Sequence, residues 1–302
     1  MSQLELAPEQ IDRFHEDGFI VLPRIIEPEA VFLLRERFDR LFAAEYDTGL
    51  VPDEVNWKAG RDDESLTRQI CNAWKADRFV ASVILRSDIG KACATLGGWP
   101  GARLSQDNLL WKPPRGKPIG FHQDSAYERW TIPPDWVSCW IALDDTVKDG
   151  GTVEYVRGSH RWGQSGMIEQ FHGPAEPVKE MRAAAELAGI DAPERVPIEV
   201  PAGGGTFHFG WTWHGSDTNR RDVPRRSIVA HCMSSEARFH PTNVGYIYSR
   251  YKRFGDDAMD ETHFPILWRE DGYRSPFLDP YVTRTINWGE SPPGTSASTQ
   301  HP

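Results

Sequence analysis

The sequence predicts a mainly β protein with flanking helices, and a jelly roll is the natural candidate for its core. From about residue 102 to 235 the chain breaks into short segments rich in β-branched and aromatic residues: LSQDNLLWK, GFHQD, WVSCWIALDD, GTVEYV, RVPIEV, GGTFHFG and RRSIVAHCM. Gly, Pro and Asp turns separate them, the pattern of a sandwich or barrel. Ahead of that region the hydrophobic periodicity is mostly helical. The whole chain has 302 residues and 39% hydrophobic content, enough for a sizeable core and unlike a disordered polymer.

Taken in order, APEQIDRFHED (residues 7–17) predicts a short helix with Ile11 and Phe14 on one face, ended by Gly18. FIVLPRII is apolar and β-branched and reads as a strand. Residues 28–45 place Val31, Leu34, Phe38, Leu41 and Phe42 at helical spacing, with Pro28 suited to the first turn. Residues 47–63 are polar and irregular, the composition of a loop. Residues 75–96 read as one or two helices, closed by Gly97 and Gly98. Within the β region, residues 165–195 break the pattern. KEMRAAAELAG in their middle reads as helical, so an insertion that covers a site is expected there. Residues 236–288 are mixed and aromatic-rich, and the Pro/Ser/Gly-rich residues 289–302 read as a disordered tail. With no repeat and no sharp boundary, the expectation is one domain over residues 1–288, its β core at about 102–235 between a helical N-terminal part and a C-terminal extension.

Composition narrows the partners. The formal net charge is −10, from 44 acidic and 34 basic residues, which argues against nucleic acid or an anionic membrane surface. No apolar run is long enough to span a bilayer, and the polar N-terminus has no signal pattern. Cys71, Cys93, Cys139 and Cys232 stand singly, without a CxxC pair, as reduced thiols of a cytoplasmic protein do. A small-molecule substrate is the partner expected; the sequence sets no oligomeric state. Tryptophans cluster near the motifs below (Trp111, Trp130, Trp140, Trp211, Trp213), and core packing is the ordinary role for each.

The chemistry gathers on GFHQD. On a strand, residues two apart share a face, so His122 and Asp124 would aim an imidazole and a carboxylate at one point. HxD alone is commonplace. His214, in WTWHGS, lies 92 residues later, and two histidines with one carboxylate make the facial triad of non-haem iron(II) oxygenases, which leaves open coordination positions. Eleven residues beyond His214, Arg225 and Ser227 share a face of VPRRSIV. Arginine offers a planar fork for a carboxylate and serine adds a hydroxyl, so the pair suits the far end of a metal-chelating dicarboxylate. Gln106 and Asn108 share parity on the strand before GFHQD and are placed either to face that dicarboxylate or to form a core polar pair. His208 and His231 lie in nearby strands as buried, hydrogen-bonded histidines or a third metal ligand. Trp140 is a candidate for the substrate cavity or the core, and Lys112 for the pocket mouth or solvent. His160, in GSHRW, reads as holding its turn.

GFHQDSAY, WIALDDTVKDGGTVEYVRGSHRW, FHFGWTWHGSDTN and PRRSIV, with the opening PEQIDRFHEDGFIVLPRII, resemble the phytanoyl-CoA dioxygenase family of Fe(II)/2-oxoglutarate oxygenases over roughly residues 7–235. The resemblance implies a double-stranded β-helix of the jelly-roll, cupin-like type. It places His122, Asp124 and His214 on the iron ligands, and Arg225, with Ser227 beside it, on the 2-oxoglutarate anchor. It implies Fe(II), 2-oxoglutarate and O2 as cofactor and co-substrates, with succinate and CO2 formed as an unactivated C–H bond of a small metabolite is hydroxylated. Arg157 departs from the proline common in the family, in a turn. Asp124 itself favours hydroxylation over halogenation, since related halogenases carry a small residue there. Desaturation, epimerisation or ring closure would use the same site. A jelly-roll isomerase or binding module with a zinc or manganese site is the alternative of another class, and it has no need of Arg225 and Ser227.

Overall fold

The computed structural model describes residues 4–282. The tail expected at 289–302 lies outside the described residues. In chain order the helices are α1 (Pro8–Asp17), α2 (Pro28–Phe42), α3 (Arg78–Ile84), α4 (Ser87–Gly97), α5 (Lys179–Leu187) and α6 (Leu278–Val282). The strands are β1 (Phe19–Leu22), β2 (Glu54–Val55), β3 (Arg68–Cys71), β4 (Gly101–Lys112), β5 (Ile119–His122), β6 (Thr131–Ile132), β7 (Val137–Ala142), β8 (Val153–Val156), β9 (Arg195–Pro197), β10 (Gly205–Phe209), β11 (His214–Ser216), β12 (Arg225–Ser234), β13 (Arg238–Phe239) and β14 (Ile266–Arg269).

An eight-stranded antiparallel sheet runs β1-β10-β7-β12-β4-β3-β2, with β14 also on β4. A four-stranded sheet, β5-β11-β8-β9, makes the second layer. This is the jelly-roll architecture that the strand pattern predicts. Strands also come from outside residues 102–235: β1, β2, β3 and β14 all join the large sheet, and β2 lies inside the stretch read as a loop. Two residues of strand carry too little pattern to be seen in a polar segment; pairing with β3 defines β2.

Alternation sorts the large sheet into two faces. Val137, Cys139 and Ile141 of β7, Phe207 of β10, and Ile228, Ala230 and Cys232 of β12 join the main core with α2, α3 and α4. The residues between them, Ser138 and Trp140, Thr206 and His208, Val229 and His231, are buried on the opposite face, toward the small sheet. Both faces are covered, so these strands read as nearly continuous apolar runs. The first helix ends at Gly18 as the sequence predicts, the second stops at Phe42, short of residue 45, and residues 75–96 hold two helices, the first from Arg78. Gly18 closes α1 at φ 85°, and Asp77 caps α3 by accepting from the Phe79 and Val80 amides. Behind the small sheet, α5 buries Met181 and Ala185; Met181 joins Phe121, Val156, Ile168 and Trp213 in a separate apolar cluster.

Candidate metal and co-substrate site

His122 ends β5 and His214 opens β11, and the two strands pair with these residues opposite each other. The Nδ1–H of His122 donates to the Gly120 carbonyl at 2.8 Å, and that of His214 to the Thr212 carbonyl at 2.9 Å. Each ring is thereby held in the tautomer that leaves Nε2 a bare acceptor. Asp124 is not on the strand: β5 stops at His122, and Asp124 begins a 3-10 turn, Asp124–Tyr127. The turn still carries its Oδ1 to 3.3 Å from His122 Nε2 and 3.4 Å from His214 Nε2. The three donor atoms lie within 4.8 Å of one another, a nitrogen–nitrogen–oxygen set that fits iron(II) with positions to spare. His208 and His231 stand outside that set.

Their work is on the other carboxylate oxygen. Asp124 Oδ2 accepts from His208 Nε2 at 3.0 Å and from Ser138 Oγ at 3.2 Å. His208 Nδ1 in turn accepts from the Tyr155 hydroxyl at 2.9 Å. His231 Nδ1–H donates to Ser138 Oγ at 2.7 Å, and its Nε2 accepts from Asn108 Nδ2 at 3.0 Å. Strand register explains the convergence: His208, Ser138, His231 and Gln106 stand side by side across β10, β7, β12 and β4. Burial pushes the Asp124 carboxyl up, but His214, His231, His122 and His208 outweigh it and hold the group well below the usual carboxylate range. Burial brings His208 and His231 down to about 4, so both are neutral hydrogen-bonding groups at neutral pH.

A narrow pocket of about 80 Å³ runs from this cluster to Arg225 between walls that include Trp140, Val153 and Val229. The Arg225 guanidinium donates to the Gly151 carbonyl at 3.1 and 3.3 Å and to Ser227 Oγ at 3.0 Å. Gly151 sits at φ +65°, where a Cβ would lie 2.8 Å from the Asp217 carbonyl, so the turn that presents its oxygen needs glycine. Burial lowers the Arg225 pKa to about 10. Among the described residues no carboxylate pairs with Arg225; the neighbouring Asp144 is engaged by Arg226 and Arg35.

A larger cavity of about 510 Å³ meets the pocket at His122, Asp124, Gln69, Asn108, Phe171 and His231. The insertion at 165–195 covers this junction: Phe171 lies 4.6 Å, ring to ring, from His122, and His172 Nε2 is 3.1 Å from Asn56 Nδ2. The other residues singled out in the sequence are distributed unevenly. Asn108 lines both spaces, whereas Gln106 lines only the larger cavity and takes a short hydrogen bond from the Tyr248 hydroxyl, away from Arg225. Trp140 walls the narrow pocket rather than the larger cavity, because it alternates with Cys139 and Ile141 onto the face opposite β8. Lys112 reaches neither pocket mouth nor solvent. It is fully buried and donates to Ser216 Oγ and the Asp217 carbonyl, with its pKa far below the ordinary value through burial and then Arg225. His160 holds its turn through the His15 carbonyl. Ser138, Tyr155 and Gln69 were not singled out. Ser138 shares the parity of Trp140, which was the available signal; Tyr155 and Gln69 gain their place only through cross-strand neighbours.

The phytanoyl-CoA dioxygenase (PhyH) family model matches residues 14–227. An ectoine dioxygenase from Nocardia farcinica is 31% identical over 244 residues, 74% of this chain and 76% of that protein. A protein of Stutzerimonas stutzeri named "Probable alpha-ketoglutarate-dependent hypophosphite dioxygenase" is 28% identical over 138 residues, and the match spans only 46% of its length and 45% of this chain. Among solved structures, the non-heme α-ketoglutarate-dependent carbocyclase SnoK from nogalamycin biosynthesis superposes with a TM-score of 0.68 at 24% identity, over 86% of this chain and 96% of that one, a likeness of fold. With the family model spanning most of the sequence and a triad and buried arginine arranged as described, the chain belongs to the phytanoyl-CoA dioxygenase family of Fe(II)/2-oxoglutarate-dependent dioxygenases.

Proposed function

We propose that this chain hydroxylates an unactivated C–H bond of a small organic molecule bound in the 510 Å³ cavity, with 2-oxoglutarate in the narrow pocket. The observation that carries the reading is the buried Arg225 fork, free of any carboxylate partner among the described residues, at the far end of the pocket that begins at the triad. His122, Asp124 and His214 would hold iron(II), which when bound supplies the oxidising chemistry that turns 2-oxoglutarate and O2 into succinate and CO2. The chain's own part is to bind, orient and exclude water. Arg225 takes the distal carboxylate as a charge-assisted fork, and Ser227 Oγ, accepting from Arg225 Nη1 at 3.0 Å, steadies the fork. Trp140, Val153 and Val229 keep the pocket dry, which strengthens the ionic contact. His208 and Ser138 hold one oxygen of Asp124 so that the other points at the metal position.

The substrate's C–H bond would enter from the larger cavity, past Phe171. Desaturation, epimerisation and ring closure are served by the same residues, and placement in that cavity selects among them. The isomerase or binding-module reading leaves Arg225 without a task and is set aside. Support for a single unit over residues 1–288 comes from β1, β2, β3 and β14 joining the large sheet, and support for a cytoplasmic setting from four unpaired, buried cysteines. Among the described residues no helix is long and apolar enough to cross a membrane. The test is succinate formation and O2 consumption by protein supplied with Fe(II), with and without 2-oxoglutarate. Succinate that depends on both supports the reading; product mass then separates hydroxylation, +16, from the other outcomes. No succinate with any metabolite pool, and no iron bound on anaerobic reconstitution, overturns it.

A further inference from the structure

The larger cavity has a charge signature that the co-substrate pocket lacks. Two carboxyl groups besides Asp124 line it, Glu54 and Glu128, while no lysine or arginine is among the described residues that do. Glu128 is 5% exposed, and its Oε2 has no hydrogen-bond partner among the described residues; the indole of Trp130 serves the carboxyl group. A buried carboxyl oxygen left unmatched costs free energy unless a ligand supplies the donor. Trp130 and Trp136 back the same wall, their rings packed on Tyr248 at 4.8 Å and on His231 at 4.8 Å. At the rim Met167, Val244 and Tyr246 stand exposed, so the mouth is apolar while the acid lies inside.

We propose that the substrate is an ammonium-bearing small molecule with an apolar body, its cationic nitrogen held by the Glu128 carboxyl in a cavity that Glu54 also lines. This rests on the preceding reading only in taking the larger cavity as the substrate chamber. Burial holds the empty Glu128 carboxyl well above the usual range, with the Trp130 hydrogen bond opposing, and an entering ammonium restores the carboxylate by direct Coulomb attraction. Away from the metal position, an anionic substrate would meet two carboxyl groups and, among the described lining residues, no lysine or arginine. A neutral one would leave the Glu128 oxygen to be satisfied by a hydroxyl or amide.

The test is calorimetric titration of the full chain, loaded with Mn(II) and 2-oxoglutarate, with alkylammonium and alkyltrimethylammonium ions and with the alkanol and alkanoate of matched length. The ammonium ions should bind at least about tenfold more tightly than the alkanoates, and Glu128→Gln should remove about tenfold of that affinity, Glu54→Gln less. Equal or tighter binding of alkanoate or alkanol, or ammonium affinity unchanged in both variants, overturns the proposal. Succinate release with metabolite pools and iron retention on anaerobic reconstitution, measured on the same wild-type preparation, separate the two readings. Release or retained iron without ammonium selectivity leaves the oxygenase and discards the cation site; ammonium selectivity with neither release nor retained iron keeps the cation site and discards the oxygenase.

Discussion

Asp124 divides its two oxygens between two tasks, and that division makes the site testable one residue at a time. Oδ1 stands among the imidazole nitrogens, while Oδ2 is taken by His208 and Ser138. Asp124→Ala removes the only anionic donor of the set, and two neutral imidazoles hold iron(II) poorly. The variant should come off a desalting column after anaerobic reconstitution with almost no iron, measured by chelator absorbance, and full occupancy would sink the ligand assignment. Arg225 bears on the opposite end. Truncating one partner of a buried, charge-assisted contact costs about 2 kcal/mol or more, so Arg225→Ala should raise the KM for 2-oxoglutarate roughly thirtyfold or more. Succinate-release kinetics at varied 2-oxoglutarate check this, and an unchanged KM means the carboxylate binds elsewhere. Residues of this kind were legible in the sequence because their types are chemically rare in combination: two histidines, an aspartate and an arginine in ordered spacing. Ser138 was not, because a serine within WVSCWIALDD offers only its shared parity with Trp140, and its role shows once His231 and Asp124 are seen on either side of it.

At the scale of elements, each ligand strand is anchored by the residue just before its histidine. Phe121 precedes His122 and Trp213 precedes His214, and both bury into the apolar cluster behind the small sheet, with Met181 of α5. Alternation sends the histidines to one face and these anchors to the other. Phe121→Ala should therefore cost about 3–5 kcal/mol in denaturant unfolding, since little can collapse into a fully buried site between strand and helix. It should also weaken metal binding, because β5 loses what fixes its tilt. Metal titration of the folded variant reads this second effect, and unaltered metal affinity would mean that ladder hydrogen bonds alone hold β5. The same alternation explains what was hard to read. β7, β10 and β12 are covered on both faces, so polar site residues such as Ser138 and His208 sit within apolar runs instead of standing out as an exposed polar face. Helices α1 and α2 were legible to within a few residues because one face of each meets solvent and the apolar spacing is clear. Lys112 shows the opposite failure: a lysine next to a strand end reads as exposed, yet its ammonium is enclosed by Ser216 and the Asp217 carbonyl.

For the molecule as a whole, the proposed metal and co-substrate positions lie between the two sheets and draw residues from both. The small sheet brings His122 and His214; the large sheet brings Arg225, with the turn at Asp124 between. Ligands that bridge two layers stabilise the folded state alone, by an amount set by mass action. At a free concentration one hundred times its Kd, 2-oxoglutarate added to the Mn(II) form should contribute about 2.7 kcal/mol. Unfolding entropy of about 2.1 cal/mol/K per residue over a chain this long converts that to roughly a 4 °C rise in Tm. The order of addition matters. 2-Oxoglutarate without metal loses its chelating contacts and should shift Tm far less, while Mn(II) alone keeps its own shift. Arg225→Ala should retain the Mn(II) shift and lose most of the 2-oxoglutarate increment. Asp124→Ala should lose both, because the co-substrate has then no metal to chelate. Thermal scans of the three proteins across these additions form one experiment, and an equal 2-oxoglutarate shift with and without metal would place the dicarboxylate away from the triad.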